Sequence, residues 1–174
     1  MVKIEATESC LDVIRAVSNA GMAVMAHIGI RPQSISKTGQ FRAEATTAAA
    51  ACELIVLAEQ MLNAGACSLL LEATACEVAE IVTRHCDVPV IGCGSGPGCD
   101  GQVLIAPDIL GLTQGATPKF AKNYGNLADA VSRAFEDYTS DVGAGKYPDD
   151  EHSYHMKRGE FEKLQKLLET QRLV

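Results

Sequence analysis

The sequence predicts an α/β protein built on a parallel sheet, and three observations lead to that class. Runs such as MAVMAHIGI (22–30) and CSLLLEA (67–73) are apolar almost throughout, without the polar alternation of a strand that has one wet face. Stretches with the i, i+3, i+4 spacing of amphipathic helices separate these runs. Glycines stand at several of the junctions, where a helix must stop before the next strand begins.

Taken in order, VKIEA (2–6) is a short strand, and Glu8 to Ala20 forms a helix with Leu11, Ile14, Ala16 and Val17 on one side. Gly21 closes that helix, and MAVMAHIGI is the next buried strand. Arg31 to Arg42 is a loop rich in Pro, Ser, Thr and Gly, long enough to suggest a functional role. Glu44 to Asn63 is an alanine-rich helix, followed by the strand CSLLLEA. Cys76 to His85 is predicted helical, VPVIGCG (88–94) a strand, and GCGSGPGCDGQ (92–102) runs into a glycine-dense loop. QVLIAPDILGL (102–112) reads equally as strand or short helix. PKFAKNY (118–124) is expected as a short strand, Asn126 to Val142 as a helix, and Met156 to Val174 as a charged amphipathic helix suited to docking or oligomer contact. The expected organisation is one domain over 1–155 and an appended helix over 156–174.

Composition narrows the function. The 174 residues carry 15 basic and 22 acidic side chains, a net charge of −7, which disfavours nucleic acid and anionic membrane as partners. No apolar run approaches the roughly 20 residues of a membrane-spanning helix, and the N-terminus lacks a secretory pattern. Seven cysteines without a CxxC pair read as reduced thiols, so the expected location is the cytoplasm.

Period-two alternation places the ionisable strand residues. Lys3 and Glu5 share one face of the first strand, Met25 and His27 one face of the second, and Ser68, Leu70 and Glu72 one face of the third. Three successive strands thus end in polar side chains just before loops, where parallel α/β folds place their catalytic groups. Lys3 and Glu5 also fit a simple ion pair, and His27 a hydrogen-bonded core residue. Glu72, after a run of small and apolar residues, fits function better. The glycine-dense loop lacks the Lys-Ser/Thr of a P-loop and the register of a dinucleotide fingerprint, so its glycines are expected to permit a tight crossing.

The strings MVKIEA, HIGIRPQSISKTGQF, LLLEA, PVIGCGSGPGCDGQVL, PDILGL, PKFAKNY and YPDDEHSYH, in this order from Met1 to about His155, resemble the ketopantoate hydroxymethyltransferase family. That resemblance implies a (βα)8 barrel of the phosphoenolpyruvate mutase-like superfamily. It implies transfer of a one-carbon unit from 5,10-methylenetetrahydrofolate to the small 2-oxo acid 2-oxoisovalerate, through a Mg2+-stabilised enolate, in pantothenate biosynthesis. Residue by residue, it implies that Lys3 binds the substrate carboxylate and Glu5 belongs to the metal shell. His27 lines the substrate site, and Glu72 accepts the proton.

The sequence also departs from the family. A (βα)8 barrel takes roughly 250 residues, and the match begins at what resembles the fourth strand. Only about the last five βα units are therefore expected, without the strands that bring two aspartates to the metal. Ala6-Thr7 stands where the family has Gly-Gly, the residues after Arg42 read AEATT, and Ser95 replaces a usual Ala. Three situations fit: a fragment, one half of a split enzyme with a complementary N-terminal chain, or a degenerate non-catalytic module acting in oligomer assembly. A Mg2+-dependent 2-oxo acid lyase is the other enzyme class consistent with the site. Exposed edges predict a homo-oligomer or a complementary chain.

Overall fold

The computed structural model describes residues 1–34, 42–115 and 117–171. Within these, two compact units are distinguished, Met1–Asn126 and Leu127–Val174. The first unit contains β1 (Val2–Glu5), α1 (Leu11–Asn19), β2 (Val24–Gly29), α2 (Ala48–Asn63), β3 (Ser68–Glu72), α3 (Cys76–His85), β4 (Val90–Cys93), β5 (Gly101–Gln102) and α4 (Ala106–Leu110). The second contains α5 (Ala128–Gly143) and α6 (Glu160–Gln171).

The five strands form one parallel sheet in the order β1-β2-β3-β4-β5. The α/β class is thus as the sequence predicts, and sequential parallel neighbours are the arrangement of a barrel segment. One sheet face, carrying Val24, Ala26, Ile28, Leu69, Leu71 and Val90, belongs to the core with Ile14 of α1, Leu54, Ala58 and Met61 of α2, and Val78, Ala79 and Val82 of α3. Burying each large aliphatic side chain there contributes about 1.5–3 kcal/mol. Covered by helices on that face, the sheet presents its other face for chemistry.

Several boundaries differ from expectation for identifiable reasons. The second helix starts at Ala48, not Glu44, because Thr47 caps it by accepting the Ala50 N–H at 3.3 Å. Glu44 instead makes an isolated parallel bridge to Thr74. The ambiguous 102–112 segment divides: Gln102 ends β5, and Ala106–Leu110 is a helix with proline in its first turn and Gly111 at its end. PKFAKNY is no strand. Pro118 lacks an N–H for a ladder, and the segment turns instead, with Ala121 N–H bonded to Pro118 O and Tyr124 N–H to Ile109 O. The loop motif over 35–41 lies outside the described residues.

Candidate active site

Sheet register decides which of the strand-end residues meet. Lys3 pairs with Met25 and Met25 with Ser68; Glu5 pairs with His27 and His27 with Leu70; Gly29 pairs with Glu72 and Glu72 with Cys93. Paired residues in a parallel sheet point the same way, so Lys3, Glu5, His27, Glu72 and Cys93 all stand on the face opposite the helices.

Three of them touch. Lys3 Nζ lies 3.4 Å from His27 Nδ1, and His27 Nε2 lies 3.1 Å from Glu72 Oε2. The imidazole is fully buried, whereas the Glu72 side chain keeps 16% of its exposure. The His27–Glu72 contact has the distance of an ion pair but not the alignment of a hydrogen bond, so Nε2 is a buried nitrogen without an aligned hydrogen-bond partner. Glu5 Oε1 accepts the Gln33 N–H at 3.0 Å from the turn after β2. Beside Glu72, the Cys93 thiol is pushed up to about 11 by burial and by the Glu72 and Asp108 carboxylates. Raised this far, it is a neutral thiol near pH 7 and not a nucleophile.

Two glycines hold this end of the sheet close. Gly29 has φ +90°, and a Cβ there would stand 2.3 Å from Glu72 O and 2.7 Å from Thr74 Oγ1. Gly94, at φ +71°, leaves room for the Phe120 ring, which a Cβ would approach to 2.2 Å. The glycine-dense loop therefore permits close crossings, as its sequence suggested. Ala73, directly after Glu72, takes φ 46° without being glycine. Its N–H bonds to Cys93 O and its carbonyl accepts from Glu44 N–H. A left-handed alanine costs roughly 1–2 kcal/mol, so these bonds hold a strained turn at the end of β3.

Glu72 also lines a cavity of about 650 Å³ with Ile30, Thr74, Gly94, Lys119 and Phe120 among its walls. A strand over 118–124 does not bring Lys119 and Phe120 to the site; the turn does, and the only sequence sign of it is a lysine beside an aromatic. Ser95 carries no local sign of a role in the sequence. It is fully buried, donates to Leu71 O at 2.8 Å and accepts the Thr74 N–H at 3.1 Å, tying β4 to both sides of Glu72.

The ketopantoate hydroxymethyltransferase family model matches residues 1–150. The chain belongs to this family. A 3-methyl-2-oxobutanoate hydroxymethyltransferase from Hyperthermus butylicus is 46% identical over 170 residues, 98% of this chain and 59% of that protein. Enzymes of the same name from Alkaliphilus metalliredigens and Enterococcus faecalis are 43% and 39% identical, covering 94% of this chain and 58% and 60% of theirs. The chain thus spans just under three fifths of the Hyperthermus relative. No helix among the described residues is long and apolar enough to cross a membrane.

The magnesium ion implied by the resemblance does not fit the donors at hand. Among the described residues no three His, Cys, Asp or Glu side chains gather as a metal site. Glu5 offers one carboxylate, already bonded to Gln33 N–H, while Glu72 faces His27. Mg2+ wants octahedral oxygen, usually completed by water and substrate around one or two carboxylates.

Proposed function

We propose that this family member takes part in hydroxymethyl transfer from 5,10-methylenetetrahydrofolate to 2-oxoisovalerate, giving ketopantoate, with Glu72 as the general base. The observation that carries the reading is the Glu72 carboxylate itself, held against buried His27 while also lining the cavity. A proton leaves C3 of the 2-oxo acid for the carboxylate, and the C–H electron pair delocalises onto the keto oxygen. C3 then bonds to the one-carbon unit after water has released it from the folate nitrogens as formaldehyde, whose oxygen takes up a proton and becomes the new hydroxyl. Lys3 spends one N–H on His27 and keeps two for the substrate carboxylate. His27, expected from the resemblance to line the site, backs Glu72 as a fully buried ring. Because the metal donors are incomplete, no step is assigned to magnesium, and Glu5 is at most one member of its shell.

The sheet also supports the partner reading. β1 and β5 are edge strands, and Val2 on β1 is 41% exposed. Open edges of a barrel-type sheet favour pairing with further strands, from a second copy or a complementary chain. Exchange of the 2-oxoisovalerate C3 hydrogen with deuterated water isolates the base step from the one-carbon chemistry. In an active assembly, Glu72→Gln is expected to slow exchange about 100- to 10,000-fold with substrate affinity nearly unchanged. Exchange at the unmodified rate would remove Glu72 from the role.

A further inference from the structure

We propose that His27 is a positioning residue for Glu72, with Lys3 locking the imidazole in the tautomer that carries its proton on Nε2. That N–H holds one oxygen of the Glu72 carboxylate and leaves the other, Oε1, to receive the substrate proton. The catalytic part of this proposal rests on Glu72 being the base; the tautomer does not.

The argument begins with what each group can do. An ammonium has three donors and no acceptor. With Lys3 Nζ 3.4 Å from His27 Nδ1, that nitrogen must supply the lone pair, and the ring proton is on Nε2. Nε2 in turn lies 3.1 Å from Glu72 Oε2, an acceptor when ionised. The opposite tautomer would set N–H against ammonium at one end and lone pair against carboxylate at the other, two mismatches in one buried ring. Water cannot relieve them, because His27 is fully buried.

Sheet geometry makes the relay rigid. Lys3 pairs with Met25, yet reaches His27, two residues further along β2; His27 pairs with Leu70, yet reaches Glu72, two residues further along β3. Each contact steps one strand across and two residues toward the carboxyl ends. Long side chains span such diagonals. The remaining misalignment at Nε2 is the kind of contact that tightens when substrate draws the carboxylate into line. With its two ring nitrogens facing Lys3 and Glu72, His27 acts through the carboxylate and not on substrate directly.

Long-range 15N–1H correlation spectra of the chain with labelled histidine, at fixed pH, read the tautomer directly. His27 is assigned among the four histidines by the signals lost in His27→Gln. The expected result is a neutral Nε2–H ring whose dominance falls several-fold in Lys3→Met and persists in Lys3→Arg, which keeps a donor. An Nδ1–H ring or a doubly protonated ring in the unmodified chain overturns the proposal, as does a Lys3→Met spectrum with the same tautomer populations. Hydrogen exchange in an active assembly tests the positioning. His27→Leu, without a donor, is expected to lose about 100-fold. His27→Gln, whose amide N–H can reach Glu72, is expected to recover most of it. Equal losses in the two variants overturn the positioning role. Unmodified exchange in Glu72→Gln would instead overturn the base assignment and leave the tautomer result standing.

Discussion

Two helices of 16 residues, α2 in the first unit and α5 in the second, follow from similarly clear sequence patterns and end in different situations. On α2, Leu54, Ala58 and Met61 are buried with the sheet residues. No residue of α5 is buried, and Phe135 and Tyr138 remain 68% and 56% exposed. Amphipathic spacing specifies where a helix forms and which side is apolar. Whether that side is covered depends on a second surface, which β2 and β3 supply for α2. Long-lived structure is therefore expected in the first unit, beneath the Lys3–His27–Glu72 chain, and weaker packing in the second.

The largest effect follows from truncating one apolar side chain in each unit. Leu71, fully buried on the helix-covered face of β3, is expected to cost about 2–5 kcal/mol when changed to Ala. Phe135→Ala, on an exposed face, is expected to stay within about 0.5 kcal/mol. Urea melts of both variants measure the difference. A Phe135→Ala loss as large as that of Leu71→Ala would show that α5 is covered in solution, and the contrast would fail.

An intermediate effect is expected at Ser95, where a polar contact rather than volume is at stake. Ser95→Ala removes both of its hydrogen bonds and leaves the buried Thr74 N–H without that acceptor, a loss of about 1–3 kcal/mol. Because Ser95 ties β4 to the backbone on both sides of Glu72, amide hydrogen exchange should quicken at residues 72–75 before it does at α1. Unchanged protection there would mean the turn is held by the Ala73 bonds alone.

These positions also show what was legible beforehand. Strand alternation groups Lys3 with Glu5, Met25 with His27 and Ser68 with Glu72, each pair on one face of its own strand, because pleating is local and needs only the sequence. It could not show that Glu5 would turn to Gln33 while Lys3 reaches His27, since register is a property of strand pairs. Ser95 carried no local signal: a serine among glycines looks like loop, and its partners lie 21 and 24 residues away. Lys119 and Phe120 were hidden by a β-like composition without a neighbouring strand to pair with. Thr47 was a capping residue in plain view, but the alanines after Glu44 continued the helical pattern through it.

The smallest effects separate the two units by pH. Folding raises the Cys93 thiol to about 11 from 9.0, so the unfolded chain loses that proton first. Stability is then fully present below about pH 9 and declines as pH rises toward 11. Burial pushes Cys86 and Cys99 up as well, in the same direction. Cys93→Ala is expected to flatten, without abolishing, the alkaline decline in urea midpoints measured from pH 8 to 11. In the second unit the sign is opposite. Hydrogen bonds from the His152 side chain, 2.6 Å away, and its backbone N–H hold the exposed Asp149 carboxyl below its usual 3.8. Its contribution is present above pH 3.8 and lost as pH falls through the lowered value. Asp149→Asn should therefore leave the alkaline limb untouched and slightly flatten the acid limb. Following helicity between pH 5 and 2 checks this: an acid limb identical to that of the unmodified chain would show that the Asp149–His152 contact contributes nothing in solution.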